Sequence, residues 1–215
     1  MKNSRIIAIL LAAGSSKRMG QNKVSLPLGN CTIGSFGLRK FINSNIDHVF
    51  VVTKESDSLN WISKDLFQKP YKDSWTHVPC TNANKGQSYS LKCGLTQALK
   101  TKPLGVMILL ADQPFLSIQT INELHQTYLK RISDKLTIPY LAASFQGVPR
   151  PPIILSPNMI PDLYMLNGDE GARAIIRKHT NLDGLFVEFE NKWDFFDIDT
   201  KEAYDVAKGI ELNGD

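Results

Sequence analysis

The sequence predicts an α/β fold in which a mainly parallel sheet is flanked by helices. Continuous apolar runs at Ile6–Leu11 and Gly105–Leu110 are typical of strands that are buried on both faces of a parallel sheet. Segments with helical spacing alternate with β-rich segments along the chain, which is the pattern of right-handed βαβ units.

The remaining elements follow from the same periodicities and from capping residues. Leu91, Leu95 and Leu99 repeat at helical spacing, and Ser117 has the residue type and position of a helix N-cap. In chain order, we predict a helix over residues 35–43, strands at 48–53 and 75–78, helices over 87–100, 117–132 and 171–178, an extended segment at 185–189 and a last helix over 200–208.

Three prolines interrupt the pattern beyond Thr137. Because proline cannot donate a ladder hydrogen bond, Pro149, Pro151 and Pro152 predict an edge strand or a loop insertion there, and not a central strand. The chain shows no internal repeat, low-complexity tract or linker, so we expect residues 1–215 to form one domain.

The composition excludes several classes of protein. A hydrophobic content of 42% is ample for a core, and the formal net charge of +4 comes without the Lys/Arg block that is typical of nucleic-acid binding. No apolar run approaches the ~18–20 residues that span a bilayer. The first run leads into residues 14–18 (GSSKR) and not into a cleavage site, so we expect no export. Cys31, Cys80 and Cys93 show no CxxC or zinc spacing, and we expect reduced thiols in a cytoplasmic protein.

The segment after Leu11 is the first candidate site, because ligands bind outside the carboxyl ends of the strands in such a sheet. Residues 12–23 combine small residues, which let backbone N–H groups approach an anion, with the cations Lys17, Arg18 and Lys23, which suit phosphates. The segment is neither a Walker A loop nor a GxGxxG fingerprint, and an ordinary solvated turn is the alternative.

Two carboxylates are candidate ligands of Mg²⁺. Asp112 directly follows the second apolar strand, where it would hold Mg²⁺ over a triphosphate or else open a turn into Pro114. Asp199 is the second candidate, although Asp199 and Glu202 also form a capping box for the last helix. The glycine-led start of the helix at residues 85–91 suits a ribose, base or phosphate, or is a capped helix without a ligand.

Five segments, taken together, carry a family resemblance. They are residues 11–23 (LAAGSSKRMGQNK), 86–95 (GQSYSLKCGL), 110–116 (LADQPFL), 168–173 (GDEGAR) and 197–200 (DIDT). In this order the chain resembles the MobA/MocA-like nucleotidyltransferases, which implies a Rossmann-like nucleotidyltransferase fold. It is most similar to molybdenum-cofactor cytidylyltransferases and the related purine-catabolism accessory proteins, because the guanylyltransferase branch typically has Gly where this chain has Ala13.

The resemblance implies transfer of CMP from CTP to the terminal phosphate of molybdopterin or the molybdenum cofactor, with Mg²⁺ as cofactor and pyrophosphate as by-product. The client would be a xanthine-dehydrogenase-type enzyme. Lys23, Arg18 and Asp112 would be catalytic, with Asp112 and Asp199 as metal ligands. The nucleotide-binding residues would be Leu11, Ala12, Ala13, Gly14, Ser15, Ser16, Lys23 and Ser88, and the acceptor-binding residues would be Gln113, Pro114, Asp169 and Arg173.

Two departures from the family pattern bear on the acceptor. Ala111 replaces the usual Gly before Asp112, and residues 151–152 read Pro-Pro where the family usually reads His-Pro. The alternatives are transfer to a sugar phosphate, polyol phosphate or phospholactate-type acid, a non-catalytic protein that delivers the cofactor, and a nucleotide-sensing module. The joint presence of Lys23, Asp112 and Asp199 favours an enzyme.

Overall fold

A computed structural model describes residues 5–14, 19–179 and 183–212 of the chain, with side chains to residue 210. The strands in these residues are β1 (Ile6–Leu11), β2 (Pro27–Leu28), β3 (Cys31–Thr32), β4 (His48–Lys54), β5 (Trp75–Cys80), β6 (Gly105–Leu110), β7 (Tyr140–Phe145), β8 (Val148–Leu155) and β9 (Leu185–Glu188). The α-helices are α1 (Ile33–Ile42), α2 (Gln87–Ala98), α3 (Ile118–Ser133), α4 (Ile160–Tyr164), α5 (Ala172–Lys178) and α6 (Lys201–Leu212).

Seven of the strands form one sheet in the order β5-β4-β1-β6-β8-β7-β9, and β2 pairs with β3 in a separate hairpin. The pairs β5–β4, β4–β1, β1–β6 and β7–β9 are parallel, whereas β8 runs antiparallel to both of its neighbours. The chain leaves β1 toward β4 and β5 and then returns to β6 on the other side, so strand order reverses beside β1. The predicted Rossmann-like α/β fold is confirmed.

β1 shows why the sheet forms where the sequence predicts it. All of its side chains are buried: Ile6, Ala8 and Leu10 belong to one apolar cluster, and Ile7 and Ile9 belong to the cluster on the opposite face. Successive residues of a strand point to opposite faces, so a strand covered by helices on both sides is apolar throughout. The bounds of β1 and β6 are those predicted.

The predicted N-cap of the long helix α3 is also confirmed. The Ser117 side chain accepts a hydrogen bond from the backbone N–H of Thr120. The buried Asp194, which the sequence analysis does not identify, accepts hydrogen bonds from the hydroxyls of Ser117 and Thr120 and from the amide of Asn191. Asp194 therefore ties the start of α3 to the segment that leads into the last helix.

The predicted edge strand or loop at the prolines is wrong, because β8 lies inside the sheet between β6 and β7. Only residues 153–155 of β8 pair with β6. Pro149 and Arg150 pair with β7 alone, beyond an irregularity in register between Ala142 and Ala143. Prolines are tolerated there because this half of the strand has no ladder partner on the β6 side.

The expectation of three reduced thiols is also wrong, since Cys80 and Cys93 form a disulfide with Cα atoms 5.9 Å apart. Cys80 ends β5 and Cys93 lies on α2, which packs across β1, β4 and β5. The pairing is a consequence of this packing and has no signature in the sequence spacing.

A third apolar cluster lies next to the carboxyl edge of the sheet. Leu28 and Ile33 pack with Phe115, Ile198 and Ala207. The cluster fixes the hairpin, the start of α1 and the last helix against the segment that follows β6. Within the described residues, every helix is too short or too polar to span a bilayer.

Candidate active site

A cavity of about 650 Å³ opens at the carboxyl ends of β1, β4 and β6. Its walls come from residues 11–14, 22–24, 83–87 and 110–112, together with single residues from other segments. Three of these stretches, 11–14, 22–24 and 110–112, contain residues that are predicted from the sequence, because ligands bind beyond the carboxyl ends of parallel strands. Lys23, Lys54 and Lys85 give this cavity a cationic side that matches the charge of phosphates.

Lys23 stands at the centre of a three-residue charged cluster. It begins a short 3₁₀ turn (Lys23–Ser25), whereas Asp112 lies two residues after β6 and Asp199 lies two residues before α6. The Lys23 ammonium donates to the Asp112 carboxylate and, over 2.8 Å, to Asp199 Oδ1. The backbone N–H of Ile198 donates to the carbonyl of Asp112 over 3.0 Å, which holds the two aspartates side by side.

The cluster is partly shielded from water. The side chains of Lys23, Asp112 and Asp199 are 14%, 17% and 37% exposed. Burial lowers the pKa of Lys23, but the charges and hydrogen bonds of Asp112 and Asp199 outweigh burial, so the pKa lies above its usual value. Lys23 is therefore a fixed positive charge at neutral pH.

A third carboxylate, Asp197, lies behind this cluster. Burial, followed by the negative charge of Asp112, raises its pKa to about 6, and a hydrogen bond from Gln113 works in the opposite direction. The Gln113 amide donates to Asp197 Oδ1 over 2.9 Å. The site thus concentrates negative charge at the sheet edge, which suits a divalent cation.

The capping contact that the structure shows at α6 is made by Thr200, the residue between Asp199 and the helix. The hydroxyl of Thr200, and not the carboxylate of Asp199, accepts the hydrogen bond from the backbone N–H of Ala203 over 3.2 Å. Asp112 lies in a turn and also contacts Lys23. The turn is closed by the N–H of Gln113, which donates to the carbonyl of Leu110 over 3.4 Å. Both carboxylates remain available as oxygen ligands.

The first predicted loop is described in part. Leu11, Ala12, Ala13 and Gly14 line the cavity. Its backbone is anchored to both neighbouring strands, because the N–H of Ala12 donates to Val52 and the carbonyl of Leu11 accepts from Ala111. The predicted residues Ser15, Ser16 and Arg18 lie outside the described residues.

The predicted nucleotide contact of Ser88 does not match its position. Ser88 is fully buried, and both its N–H and its hydroxyl donate to the carbonyl of Gly168, over 3.0 and 2.9 Å. Gly86 has φ +125°, and a Cβ there would lie 2.3 Å from the Gly168 carbonyl. Ser88 therefore holds a backbone contact, and its neighbours Gln87 and Ser90 line the cavity instead.

A second cavity of about 270 Å³ adjoins the first and contains most of the predicted acceptor residues. Gln113, Asp169 and Arg173 line it, and Asp169 also lines the first cavity. Pro114 is buried, with its Cα facing Gly37 of α1, and belongs to the wall of neither of these two cavities, so its predicted acceptor contact has no support in the geometry.

Several residues that line the two cavities are not predicted from the sequence. They are Lys54, Asn84, Arg150, Arg177 and Asp197. The rule that selected residues 11–14 also applies to Lys54, because it ends β4 at the same edge of the sheet. Arg150 and Arg177 come from distant segments, so a local pattern carries no information about their meeting.

The carboxylate arrangement fits magnesium better than a metal held by protein ligands alone. Within the described residues, no group of three or more His, Cys, Asp or Glu side chains is placed to hold a metal ion. Mg²⁺ keeps several waters and is usually bound by one or two carboxylates together with substrate phosphates. Asp112 and Asp199, which approach one another around a single ammonium group, supply that number of ligands.

Comparison with known proteins agrees with the fold. The model of the MobA-like NTP transferase domain matches residues 8–182. The purine catabolism protein PucB of Bacillus subtilis (strain 168) is 37% identical over 209 residues, which cover 97% of this chain and 98% of that protein.

Two solved structures show the same fold. A homologue of Mycobacterium tuberculosis Rv0371c from Mycobacterium sp. strain JC1 has a TM-score of 0.76 at 19% identity, covering 99% of both chains. The manganese complex of Rv0371c from Mycobacterium tuberculosis H37Rv has a TM-score of 0.65 at 16% identity, covering 96% of this chain and 98% of that one. The family match spans most of the chain and includes Lys23 and Asp112. The chain therefore belongs to the MobA-like NTP transferase family and is a nucleotidyltransferase.

Proposed function

We propose that the protein transfers CMP from CTP to the terminal phosphate of molybdopterin or the molybdenum cofactor, and that it acts in the cytoplasm as one transferase domain. The product would serve a xanthine-dehydrogenase-type enzyme, in keeping with the name of the purine catabolism relative. The observation that carries the proposal is the contact of one partly buried lysine with two aspartates in the wall of the larger cavity.

The reaction needs positioning and charge neutralisation and no general base, because the attacking phosphate is already ionised near neutral pH. An oxygen of that phosphate forms a bond to the α-phosphorus of CTP. The bond from this phosphorus to the bridging oxygen breaks, and pyrophosphate leaves with that oxygen. Mg²⁺ held by Asp112 and Asp199 would neutralise charge on the triphosphate and on the incoming phosphate.

The chain's own residues supply the rest. Lys23 is held by its two aspartates at the cavity wall, and its ammonium would meet charge that grows at the α-phosphate. Arg18 and the backbone of residues 14–16 are proposed to hold the departing pyrophosphate, as the family resemblance implies. A carrier without catalysis would have no need for a lysine and two aspartates that converge in the wall of the cavity.

The choice of CTP rests on the wall that follows β1. Ala12 and Ala13 line the cavity and are 5% and 6% exposed, and we expect the edge of the base to be read beside them. The methyl group of Ala13 leaves less room for the second ring of a purine than a glycine would. One clash of ~1.4 kcal/mol corresponds to a factor of about ten in favour of CTP over GTP.

The test is a competition assay in which CTP and GTP are offered together with Mg²⁺ and molybdopterin, and the dinucleotide product is identified. We expect the cytidine product in roughly tenfold excess or more, with pyrophosphate released in equal amount. Equal or preferential use of GTP would contradict the assignment to CTP, although the nucleotidyltransferase site would stand.

The metal role is tested in the same assay with Asp112→Asn and Asp199→Asn. Each variant should lose most of the transfer, because a neutral amide is a poorer ligand of Mg²⁺ than a carboxylate. Asp134→Asn is the matched control, since Asp134 is exposed at the end of α3 and far from the site in sequence and fold. Thermal melting checks that each variant folds, and near-normal turnover of a folded Asp199→Asn protein would refute its role as a ligand.

A further inference from the structure

The second cavity is lined by more positive charge than the proposed reaction at the first cavity requires. Arg150 enters it from β8, and Arg173 and Arg177 enter it from α5, four residues apart on one side of the helix. Asp169 and Asp197 are the carboxylates in the same wall, so cationic groups outnumber anionic ones. Guanidinium groups are the side chains that best match oxyanions, because their planar forks donate two parallel hydrogen bonds.

Two polar atoms of this cavity wall have unused hydrogen-bonding capacity. Within the described residues, Arg150 Nε and Gln113 Oε1 are buried without a hydrogen-bond partner. Buried polar groups are normally paired, so each atom needs a partner that the described chain does not supply. Arg150 Nε requires an acceptor and Gln113 Oε1 requires a donor. Arg150 Nε and Gln113 Oε1 are not hydrogen-bonded to one another, and the Gln113 amide donates to Asp197.

The two cavities adjoin one another. They share Gln87, Leu110 and Asp169 in their walls. A ligand whose phosphate lies beside Lys23 and Asp112 in the first cavity can therefore extend past Asp169 into the second. The departure from the family's His-Pro also lies here, since the buried Pro151 lines the second cavity next to Arg150.

We propose that the second cavity binds a second anionic group of the acceptor, at the end remote from its attacking phosphate, through Arg150, Arg173 and Arg177. The proposal rests on the proposed function and defines the acceptor class more narrowly. The acceptor is a phosphorylated compound that carries another negative group, an oxyanion or ionised thiols, with an N–H or O–H donor within reach of Gln113. A neutral sugar phosphate would bring no second anionic group to the three guanidinium groups.

The first experiment measures steady-state transfer to molybdopterin with Arg150→Gln, Arg173→Gln and Arg177→Gln. Loss of a charged hydrogen bond typically costs ~1.5–3 kcal/mol, so each change should raise the KM for the acceptor roughly tenfold or more. The KM for CTP should stay within about twofold, because these residues lie outside the first cavity. Arg131→Gln is the control, since Arg131 is exposed on α3. An unchanged acceptor KM in all three variants would overturn the proposal while leaving the proposed function intact.

The second experiment does not depend on transfer. Calorimetric titration with sodium molybdate, on protein saturated with CTP and Ca²⁺, measures an oxyanion in the second cavity while the first is filled. We expect binding to wild type and to Arg131→Gln, and its loss in the variant with all three arginines changed to glutamine. Equal binding to wild type and to the triple variant would overturn the proposal. Loss of binding in the triple variant, without any transfer by wild type, would support the anion site and refute the proposed function.

Discussion

Replacing Lys23 with methionine tests how the charges of the site balance one another. The ammonium contacts both carboxylates and is 14% exposed. Two unit charges at ~4 Å interact by ~4 kcal/mol at an effective dielectric constant of ~20. Two effects reduce this value. Solvent screens the charge of Asp199, which is 37% exposed, and the lysine is hydrated again when the chain unfolds. We expect a net loss of about 1–3 kcal/mol, which lowers the Tm by roughly 3–10 °C in a chain of this size.

The dependence of the Tm on pH and on Mg²⁺ distinguishes stability that comes from the charge of Lys23 from stability that comes from packing. Because the folded-state pKa of Lys23 is raised, its contribution is complete at pH 7.5 and is lost only as the pH rises through that pKa, above the usual lysine value of ~10.4. Methionine fills similar space without charge, so the two carboxylates should then attract Mg²⁺ more strongly. Millimolar MgCl₂ should therefore raise the Tm of the variant more than that of wild type.

The assay is thermal melting of wild type, Lys23→Met and the exposed-site control Lys64→Met, with and without MgCl₂. We expect the control to match wild type in both conditions. A Lys23→Met protein that melts within about 1 °C of wild type, and gains no more from Mg²⁺, would refute the reasoning that this ammonium balances the two carboxylates.

Three further predictions concern the fold. Asp194→Ala leaves the buried hydroxyl of Thr120, and the less buried donors of Ser117 and Asn191, without their acceptor and should cost roughly 1–3 kcal/mol in urea unfolding. A loss below ~1 kcal/mol would contradict the role of Asp194. Burial lowers the pKa of His125 in the folded state. As the pH falls below ~6.5, the unfolded chain therefore takes up a proton at His125 more readily than the folded chain, and the free energy of unfolding should decrease. His125→Leu should make this decrease between about pH 7 and 5 smaller. Equal pH slopes would exclude His125 as a contributor. Cys93→Ser removes the disulfide, whose cysteines are 13 residues apart, and should cost about 3 kcal/mol of stability without reductant. Wild type with dithiothreitol should melt like the variant. A Tm of wild type that reductant leaves unchanged would argue against the disulfide in solution.

The sequence predicts the parts of the fold that local pattern determines. β1 and β6 are apolar throughout because helices cover both faces of the sheet, and their bounds are confirmed. The position of β8 depends on pairing with strands far along the chain, and its prolines are tolerated because the ladder between β8 and β6 ends at Ile153, before it reaches them. The disulfide is equally non-local, because the packing of α2 on β5 brings its cysteines together.

The same distinction applies to the site. Residues 11–14 and Asp112 follow apolar strands, so the rule for parallel sheets locates them. Asp199 and Lys23, which contact one another, are 176 positions apart in the sequence, and only the family resemblance predicts that they belong to one site. Ser88 shows the opposite error, because its place in a motif gives no information on whether its hydroxyl faces the cavity or the backbone of Gly168.

The most direct test of the proposed transfer follows the label from CTP in a reaction with Mg²⁺ and molybdopterin. With ³²P in the α-phosphate, we expect the label to appear in the dinucleotide product, mole for mole with the acceptor consumed. With ³²P in the γ-phosphate, we expect the label to appear in pyrophosphate only. Recovery of the α-label as unreacted CTP or free CMP, while molybdopterin remains unchanged, would contradict the central claim that Lys23, Asp112 and Asp199 direct cytidylyl transfer to this acceptor.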